Sequence, residues 1–213
     1  MSHVYMVQMD IPQHLEAEFN RIYDEDHVPT ILKVPGVRSC ARYRLEHSTV
    51  QTMPRYLAMY EVESAEVINS PAWQEASDLG EWKPKIRPHT TNRQHSTASS
   101  GGSPDQSKRT IMAHIFVVQL DIPAEHEAEF NRVYDTEHFP MLSRVPGVRS
   151  AERYRLEHST VPGTQRYLTI YELDSPDVLK SAAWEKAGSF GDWATKIRPL
   201  LTSRHHSVFE RIA

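Results

Sequence analysis

Two tyrosine–histidine pairs are the residues of this chain best suited to chemistry. Tyr23 and His27 lie four positions apart, and Tyr134 and His138 repeat the spacing. In a helix this spacing places both side chains of a pair on one face. A neutral imidazole can take or give a proton near pH 7, and a tyrosine hydroxyl opposite it can stabilise a developing enolate. The pattern favours proton transfer on a small carbonyl or phenolic molecule.

Acidic residues flank the first histidine and leave two interpretations open. Asp24 or Asp26 could orient the imidazole of His27 or hold its charge. Alternatively, His27 could cap the end of a helix, where a partly positive imidazole interacts favourably with the helix dipole. The same two interpretations apply to the second pair.

The pairs belong to an internal repeat with an offset of 111 residues, since 138 − 27 = 111. The offset holds without a gap, and roughly half of the aligned positions are identical. A repeat of this length indicates two similar structural units. We expect a first unit at 1–96, a flexible linker at 97–111 that contains Ser-Ser-Gly-Gly-Ser-Pro, and a second unit at 112–213.

Hydrophobic periodicity predicts the element order β-α-β-β-α-β in each unit. In the first unit the strands are expected at 4–10, 37–47, 55–62 and 86–96, with helices from 13 and from 64. Pro29 is expected to break or kink the first helix, and Ser64 to cap the second.

Composition limits the classes of function. The chain is 39% apolar, with four Trp and nine Tyr, which is enough for a hydrophobic core. A net charge of −4 without a dense basic block argues against nucleic acid as a partner. No stretch approaches the roughly 20 apolar residues that span a bilayer, and the single Cys40 fits a reducing compartment. We expect a cytoplasmic protein without a membrane partner.

The repeated motifs resemble a known family. Tyr-x-x-x-His-x-Pro, followed by Val-Pro-Gly-Val and Arg-Tyr-Arg, is similar to the EthD-like families of the dimeric α+β barrel superfamily. The resemblance implies an α+β fold in which two fused ferredoxin-like βαββαβ repeats form an intramolecular barrel. The second unit would then replace a symmetry mate as an internal pseudo-dimer, and a further homodimer is possible.

The resemblance also implies a pocket in each unit, between the sheet and its helices. The catalytic candidates are then His27, Tyr43, His138 and Tyr154. The residues expected to bind substrate are Tyr23, Tyr60, Trp73, Trp82, Tyr134, Tyr171, Trp184 and Trp193. Each of these tyrosines and tryptophans could instead be a packing residue.

Several charged residues have a structural and a functional interpretation. The arginines at 38, 42, 44, 87 and 93 are expected to form ion pairs where the two sheets meet, with an anion clamp as the alternative. His95, His205 and His206 lack the spacing of a metal site, so no metal is predicted and they are interpreted as solvated residues. No phosphate-binding loop or dinucleotide fingerprint occurs.

The leading functional hypothesis is a cofactor-independent lyase, decarboxylase or isomerase that acts on a small carbonyl, phenolic or carboxylate molecule. His and Tyr would serve as acid, base and oxyanion partner. The alternatives are a non-catalytic protein that binds a small ligand and, by analogy with the superfamily, a haem-binding protein.

Overall fold

The computed structural model describes residues 2–101 and 113–213. Within these ranges, eight antiparallel strands close into one barrel, with helices packed on its outside. The strands are β1 Ser2–Asp10, β2 Val37–Ser48, β3 Tyr56–Val62, β4 Thr91–Ser100, β5 His114–Asp121, β6 Val148–Ser159, β7 Tyr167–Leu173 and β8 Ser203–Arg211. The α-helices are α1 Glu16–Ile22, α2 Val28–Ile31, α3 Pro71–Asp78, α4 Glu127–Val133, α5 Phe139–Ser143 and α6 Ala182–Gly188.

Single turns of other helix types flank the α-helices. The π-helical turns are Tyr23–His27, Trp82–Ile86, Tyr134–His138 and Trp193–Ile197. The 3₁₀ turns are Gln13–Leu15, Ala65–Asn69, Arg87–His89, Ala124–His126, Pro176–Lys180 and Arg198–Leu200. No helix in the described part of the chain is long and apolar enough to cross a membrane.

Two seams join the copies of the repeat. The strand order around the barrel is β1-β3-β2-β8-β5-β7-β6-β4, so each copy contributes four adjacent strands. Strand β2 pairs with β8, and β4 pairs with β6, across the boundary between the copies. The predicted α+β class and the barrel are therefore confirmed.

Alternation along the strands separates an interior core from two outer cores. The interior core holds Val4, Met6, Tyr43, Leu57, Ala98, Ile115, Val117, Tyr154, Leu168, Ile170 and Phe209. One outer core per copy lies between the outer face of the barrel and the helices. Each outer core contains the tyrosine of one Tyr–His pair. Because the interior is filled by these side chains, space for a ligand must be sought on the outer side.

The first helix of each copy continues past the position where its proline is expected to end it. Between α1 and α2, the amide of Val28 donates to the carbonyl of Tyr23, which is the wider spacing of a π turn. Pro29 then lies in the first turn of α2, where the lack of an amide hydrogen is tolerated. The prediction of a break at Pro29 is therefore wrong. Such π turns are often found at functional sites.

Three predicted boundaries also need correction. The fourth strand, expected from 86, begins at Thr91, because Ile86 ends a π turn and Arg87–His89 form a 3₁₀ turn. Ser64 makes no side-chain cap and precedes a 3₁₀ turn, whereas the Ser70 hydroxyl accepts from the Trp73 amide and caps α3. Strand β4 extends to Ser100, so the predicted linker does not begin at 97. Residues 102–111 of that linker lie outside the described residues.

A buried arginine fastens the first helix of each copy to the barrel. Arg42 is 3% exposed, donates to the Asn20 side chain at 2.7 Å and forms an ion pair with Asp24. Its guanidinium lies 4.4 Å from the centre of the Tyr23 ring, and that of Arg153 repeats the contact on Tyr134 at 4.5 Å. Stacking on aromatic rings and a forked set of donors suit arginine rather than lysine.

Arg42 lies at the β2–β8 seam, where its amide donates to the Ala213 carbonyl at 2.8 Å, but its side chain faces the helix and pairs with Asp24 within the first copy. The expected ion pair between the two sheets is therefore not formed by Arg42. Arg44 forms such a pair, with Glu210 of β8 at 2.8 Å. Arg38 pairs with Glu63 at 3.8 Å within the first copy.

We predict that Arg42→Met lowers the free energy of unfolding by about 2–4 kcal/mol, because Asn20 and Asp24 lose their partner. Arg38→Met is the matched control. Its ion pair is exposed, so a change within about 0.5 kcal/mol is expected. Urea denaturation measures both variants. Equal losses in the two variants would contradict a fastening role for Arg42.

Candidate functional site

A cavity of about 640 Å³ lies in the second copy, between the outer face of the barrel and the helices. Its lining is mixed, with aromatic and aliphatic side chains on one hand and ten polar or charged side chains on the other. The lining residues are His47, Thr49, Phe116, Val118, Leu120, Tyr134, His138, Leu142, Tyr171, Leu179, Lys180, Ser181, Trp184, Glu185, Gly188, Ser189, Trp193, Arg198, Arg204, His206 and Val208. This size is typical of sites for small molecules.

Five of the residues predicted for the second copy meet in this cavity: Tyr134, His138, Tyr171, Trp184 and Trp193. In the first copy, contacts among aromatic rings bring their counterparts together in a similar way. These counterparts are Tyr23, His27, Tyr60, Trp73 and Trp82. In each copy the structure therefore brings together the residues that the resemblance implies for substrate binding, and their role in binding stays a prediction.

Tyr43 and Tyr154 are not part of this arrangement. Both lie in the interior core, on the opposite face of the sheet from the histidines. The Tyr154 hydroxyl donates to Glu152 at 2.8 Å inside the barrel. Their predicted place in a pocket between sheet and helices is wrong. A register shift between Val37 and Ser39 puts Val37 against the outer core and Tyr43 in the interior core, and the same shift between Val148 and Ser150 precedes Tyr154.

His138 is held in its neutral form by its surroundings. It is 8% exposed, and its ring stacks on Trp193 with 3.9 Å between centroids and 18° between planes. Its Nδ1 atom is buried and makes no hydrogen bond. Burial, followed by the positive charges of Arg198 and Arg204, lowers the pKa of His138 to about 3.

The acidic residues near the first histidine have other partners. Asp24 forms the ion pair with Arg42, and Asp26 accepts a hydrogen bond from the Glu81 amide at 2.7 Å. In the second copy, Glu137 accepts in the same way from the Asp192 amide at 2.9 Å. The expectation that Asp24 or Asp26 orients His27 is therefore not supported by the hydrogen bonds.

The tyrosine of the second pair makes a buried hydroxyl network. The Tyr134 hydroxyl lies 2.8 Å from the Thr169 hydroxyl and 3.5 Å from that of Tyr171. Burial raises the pKa of both tyrosines. Both hydroxyls therefore stay protonated and can act as hydrogen-bond groups at the base of the cavity, but not as phenolates.

Nine polar residues of the cavity were not among the predicted site residues: His47, Thr49, Lys180, Ser181, Glu185, Ser189, Arg198, Arg204 and His206. Arg204 Nε donates to His206 Nε2 at 2.8 Å, and burial lowers the pKa of His206 to about 4. The interpretation of His206 as a solvated residue is wrong. The signal was the alternation of Arg204 and His206 on one strand, which repeats that of Arg93 and His95.

The first copy differs in the equivalent region. Tyr5 replaces Phe116, and its hydroxyl is hydrogen-bonded to Nδ1 of His95, the counterpart of His206. A separate cavity of about 500 Å³ lies nearer the seam and is lined by His3, Ala65, Glu66, Ile68, Asn69, Thr97, Glu157 and His158. Its lining includes none of the aromatic residues predicted to bind substrate.

The first copy also helps to build the cavity of the second. His47 and Thr49 line it from the end of β2, where the Thr49 amide donates to the His206 carbonyl at 2.9 Å. The Ser48 and Ser207 hydroxyls lie 2.9 Å apart at the same seam. The second-copy site is therefore completed by the barrel and not by one repeat alone.

The arrangement offers a neutral imidazole, two guanidinium groups and flat aromatic walls. These groups can bind an aromatic molecule, stabilise negative charge on it and exchange a proton with it. In residues 2–101 and 113–213, no group of three or more His, Cys, Asp or Glu side chains is arranged to hold a metal ion.

Comparisons with known proteins identify a fold. The family described as a domain of unknown function, DUF4286, matches residues 2–86, and no curated protein sequence matches the chain. An anthrone oxidase-like protein is similar in structure, with 13% identity, a TM-score of 0.63, and coverage of 100% of this chain and 91% of that one. A candidate monooxygenase from Fusobacterium nucleatum has 8% identity, a TM-score of 0.65, and coverage of 100% and 93%.

Chlorite dismutase from Candidatus Nitrospira defluvii in complex with imidazole has 11% identity and a TM-score of 0.59, with coverage of 98% of this chain and 91% of that one. At these identities the likeness concerns the fold, which is the dimeric α+β barrel. The predicted fold is thus confirmed, whereas the EthD-like family stays a prediction.

The buried histidines predict a loss of stability in acid. Burial lowers the pKa of His27 to about 4 and that of His138 to about 3, whereas an unfolded histidine titrates near 6.5. Below pH 6.5 the unfolded chain therefore binds more protons than the folded chain. Stability is at its full value above that pH, and the free energy of unfolding decreases as the pH falls towards 4. Between pH 7.5 and 5, we expect each histidine to cost about 2 kcal/mol of unfolding free energy.

Urea denaturation at the two pH values measures this loss in the wild type and in His27→Gln/His138→Gln. The double variant should lose less stability than the wild type between pH 7.5 and 5, although other groups titrate in both. An identical loss would show that these histidines are not held neutral by the fold.

Proposed function

We propose that this chain is a cofactor-independent enzyme of small-molecule metabolism that acts by proton transfer in the second-copy cavity. The observation that supports this most is the position of His138 in the wall of a cavity of about 640 Å³, stacked on Trp193 and with no hydrogen-bond partner at Nδ1. The proposed class is lyase, decarboxylase or isomerase, since proton transfer is the step that these reactions share. Because Tyr43 and Tyr154 lie inside the barrel, we assign stabilisation of the oxyanion to Arg198 and Arg204, which line the cavity.

In the proposed reaction, His138 removes a proton from a carbon or hydroxyl group of the bound molecule. The electron pair left behind becomes an enolate or phenolate, whose charge Arg198 and Arg204 stabilise. That negative charge also offsets the effect of the arginines on the imidazole and raises the pKa of His138 during the reaction. Return of the proton to another atom of the same molecule gives an isomer. These reaction steps need no external oxidant.

We propose that the scaffold arose by tandem fusion of two ferredoxin-like repeats of EthD-like type. The repeated element order and the 111-residue offset support this proposal. The domain division at 1–96 and 112–213 stays a proposal, with the end of the first unit moved to Ser100 by β4. A cytoplasmic location stays a prediction from the single cysteine.

Oxygen-dependent chemistry is the second candidate, because solved structures with this fold include an anthrone oxidase-like protein and a candidate monooxygenase. An enolate or phenolate formed by His138 could donate electrons to O₂, which would be reduced while the ring is oxidised. Oxygen consumption during turnover would assign the chain to this class. Unchanged turnover without oxygen would assign it to the proton-transfer class.

Haem binding and ligand binding without turnover remain as alternatives. The donor set is compatible with haem, since neutral His138 could ligate iron while Arg198 and Arg204 pair with propionates. Haem would supply redox chemistry. A Soret shift on addition of haem to purified protein would favour this alternative, and tight binding of small aromatic acids without any proton exchange would favour a carrier.

We predict that His138→Ala lowers turnover about 10²–10⁴-fold, the usual contribution of a general base. A panel of aromatic keto acids and hydroxy acids can be screened by proton NMR in D₂O, where exchange of a ligand proton reports proton removal. This readout does not require the product to be known.

His27→Ala is the matched control. His27 also stacks on a tryptophan, Trp82, with 4.8 Å between centroids, so the two variants should lose similar stability. Activity should survive in His27→Ala and disappear in His138→Ala. Equal activity in both variants, or loss in His27→Ala alone, would overturn the assignment of the site to the second copy.

A further inference from the structure

The two copies keep the same arginine before the fourth strand but surround it with different charges. In the first copy, Arg87 pairs with Asp78 at 3.1 Å, and Asp78 is shared with Lys83, which Ala194 replaces in the second copy. In the second copy, Ser189 occupies the position of Asp78, and Arg198 donates to the Gly188 carbonyl instead. Within residues 2–101 and 113–213, Arg198 has no carboxylate partner, and its Nε atom is buried without a hydrogen bond. The substitution leaves one guanidinium uncompensated at the cavity.

A second guanidinium adds to this charge. Arg204 lines the same cavity from its exposed rim, and partial burial together with repulsion from Arg198 lowers its pKa. Its described hydrogen-bond partner is the neutral His206, so it too has no carboxylate partner in the described part of the chain. Glu185 lines the cavity but is exposed and makes no ion pair with Arg198 or Arg204 among the described residues. The cavity therefore carries an excess of positive charge.

The walls beside these cations suit a planar ring. Trp184 meets Tyr171 edge-on at 5.4 Å and Phe116 at 5.7 Å, and Trp193 lies under His138. Aromatic rings of a ligand pack well against such faces and edges. Guanidinium groups bind carboxylates through paired, charge-assisted hydrogen bonds.

We propose that the second-copy cavity selects planar aromatic carboxylates, that Arg198 and Arg204 hold the carboxylate, and that Ser189 determines this selectivity by leaving Arg198 free. The proposal names the substrate class of the function proposed above and rests on the same cavity. Asp78 pairs with the equivalent arginine in the first copy, and Tyr5, which stands in place of Phe116, is hydrogen-bonded to His95 there. One aromatic acid therefore binds per chain.

The test compares 2-naphthoate with uncharged 2-naphthamide, which has the same ring system, by calorimetry and tryptophan fluorescence. Wild-type protein is expected to bind naphthoate at least tenfold more tightly than naphthamide. Ser189→Asp is expected to weaken naphthoate at least tenfold and to leave naphthamide unchanged, because the new carboxylate pairs with Arg198. Ser189→Asn, similar in size and uncharged, should bind naphthoate within about twofold of wild type.

Stability separates loss of binding from loss of folding. Ser189→Asp should unfold at the same temperature as wild type or higher, because it supplies a partner for an unpaired cation. Equal affinity for the two probes in wild type, or naphthoate binding unaffected by Ser189→Asp, would overturn the proposal.

The result is also distinguishable from failure of the catalytic proposal. His138→Ala should retain the preference for naphthoate over naphthamide even though it loses proton exchange. Selective binding with exchange unaffected in His138→Ala would uphold the selectivity and refute the chemistry. Proton exchange that depends on His138, without any preference for naphthoate, would uphold the chemistry and refute the selectivity.

Discussion

Closure of the barrel decides where this chain can bind a ligand. The β2–β8 and β4–β6 seams give every strand two neighbours, so one face of every strand points into a common interior. Packed side chains fill that interior and leave no room there for a ligand. Ligand space is therefore left on the outer side, beneath the helices. Whether a strand residue can take part in chemistry depends first on which of these faces it occupies.

The outer layer keeps its architecture in both copies while its electrostatics diverge. Arg42 and Arg153 fasten the first helices in the same way, and the π turns present both histidines to tryptophans. Against this constant background, a few substitutions change the site. Phe116 in place of Tyr5 removes a hydrogen bond across the cavity, and Ser189 in place of Asp78 removes a negative charge. A fused pair of repeats can diverge in this way because each copy supports the fold of the other.

Much of this structure follows from the sequence, and the remainder depends on contacts between distant segments. The repeat and its periodicity predicted the element order, and the spacing of Tyr134 and His138 correctly placed them on one face. The inward position of Tyr154 could not be derived, because the alternation does not reveal the register shift between Val148 and Ser150 that precedes it.

Arg204 and His206 were missed for a related reason. Their role depends on the neighbouring strand and helix that enclose them, and a strand near a chain end resembles a solvated segment when it is read alone. The π turn was missed because the proline rule describes the residue before Pro29 by its steric preference, whereas packing of the preceding helix on the barrel keeps the chain helical.

A crystal structure of the chain with bound 2-naphthoate tests the central claim, that the two copies share a fold but only the second offers the working site. The account predicts one ligand per chain, with its ring against Trp184 and its carboxylate at Arg198 and Arg204. A ligand bound at Trp73 and Arg87 of the first copy, or two ligands bound equally in both copies, would contradict it.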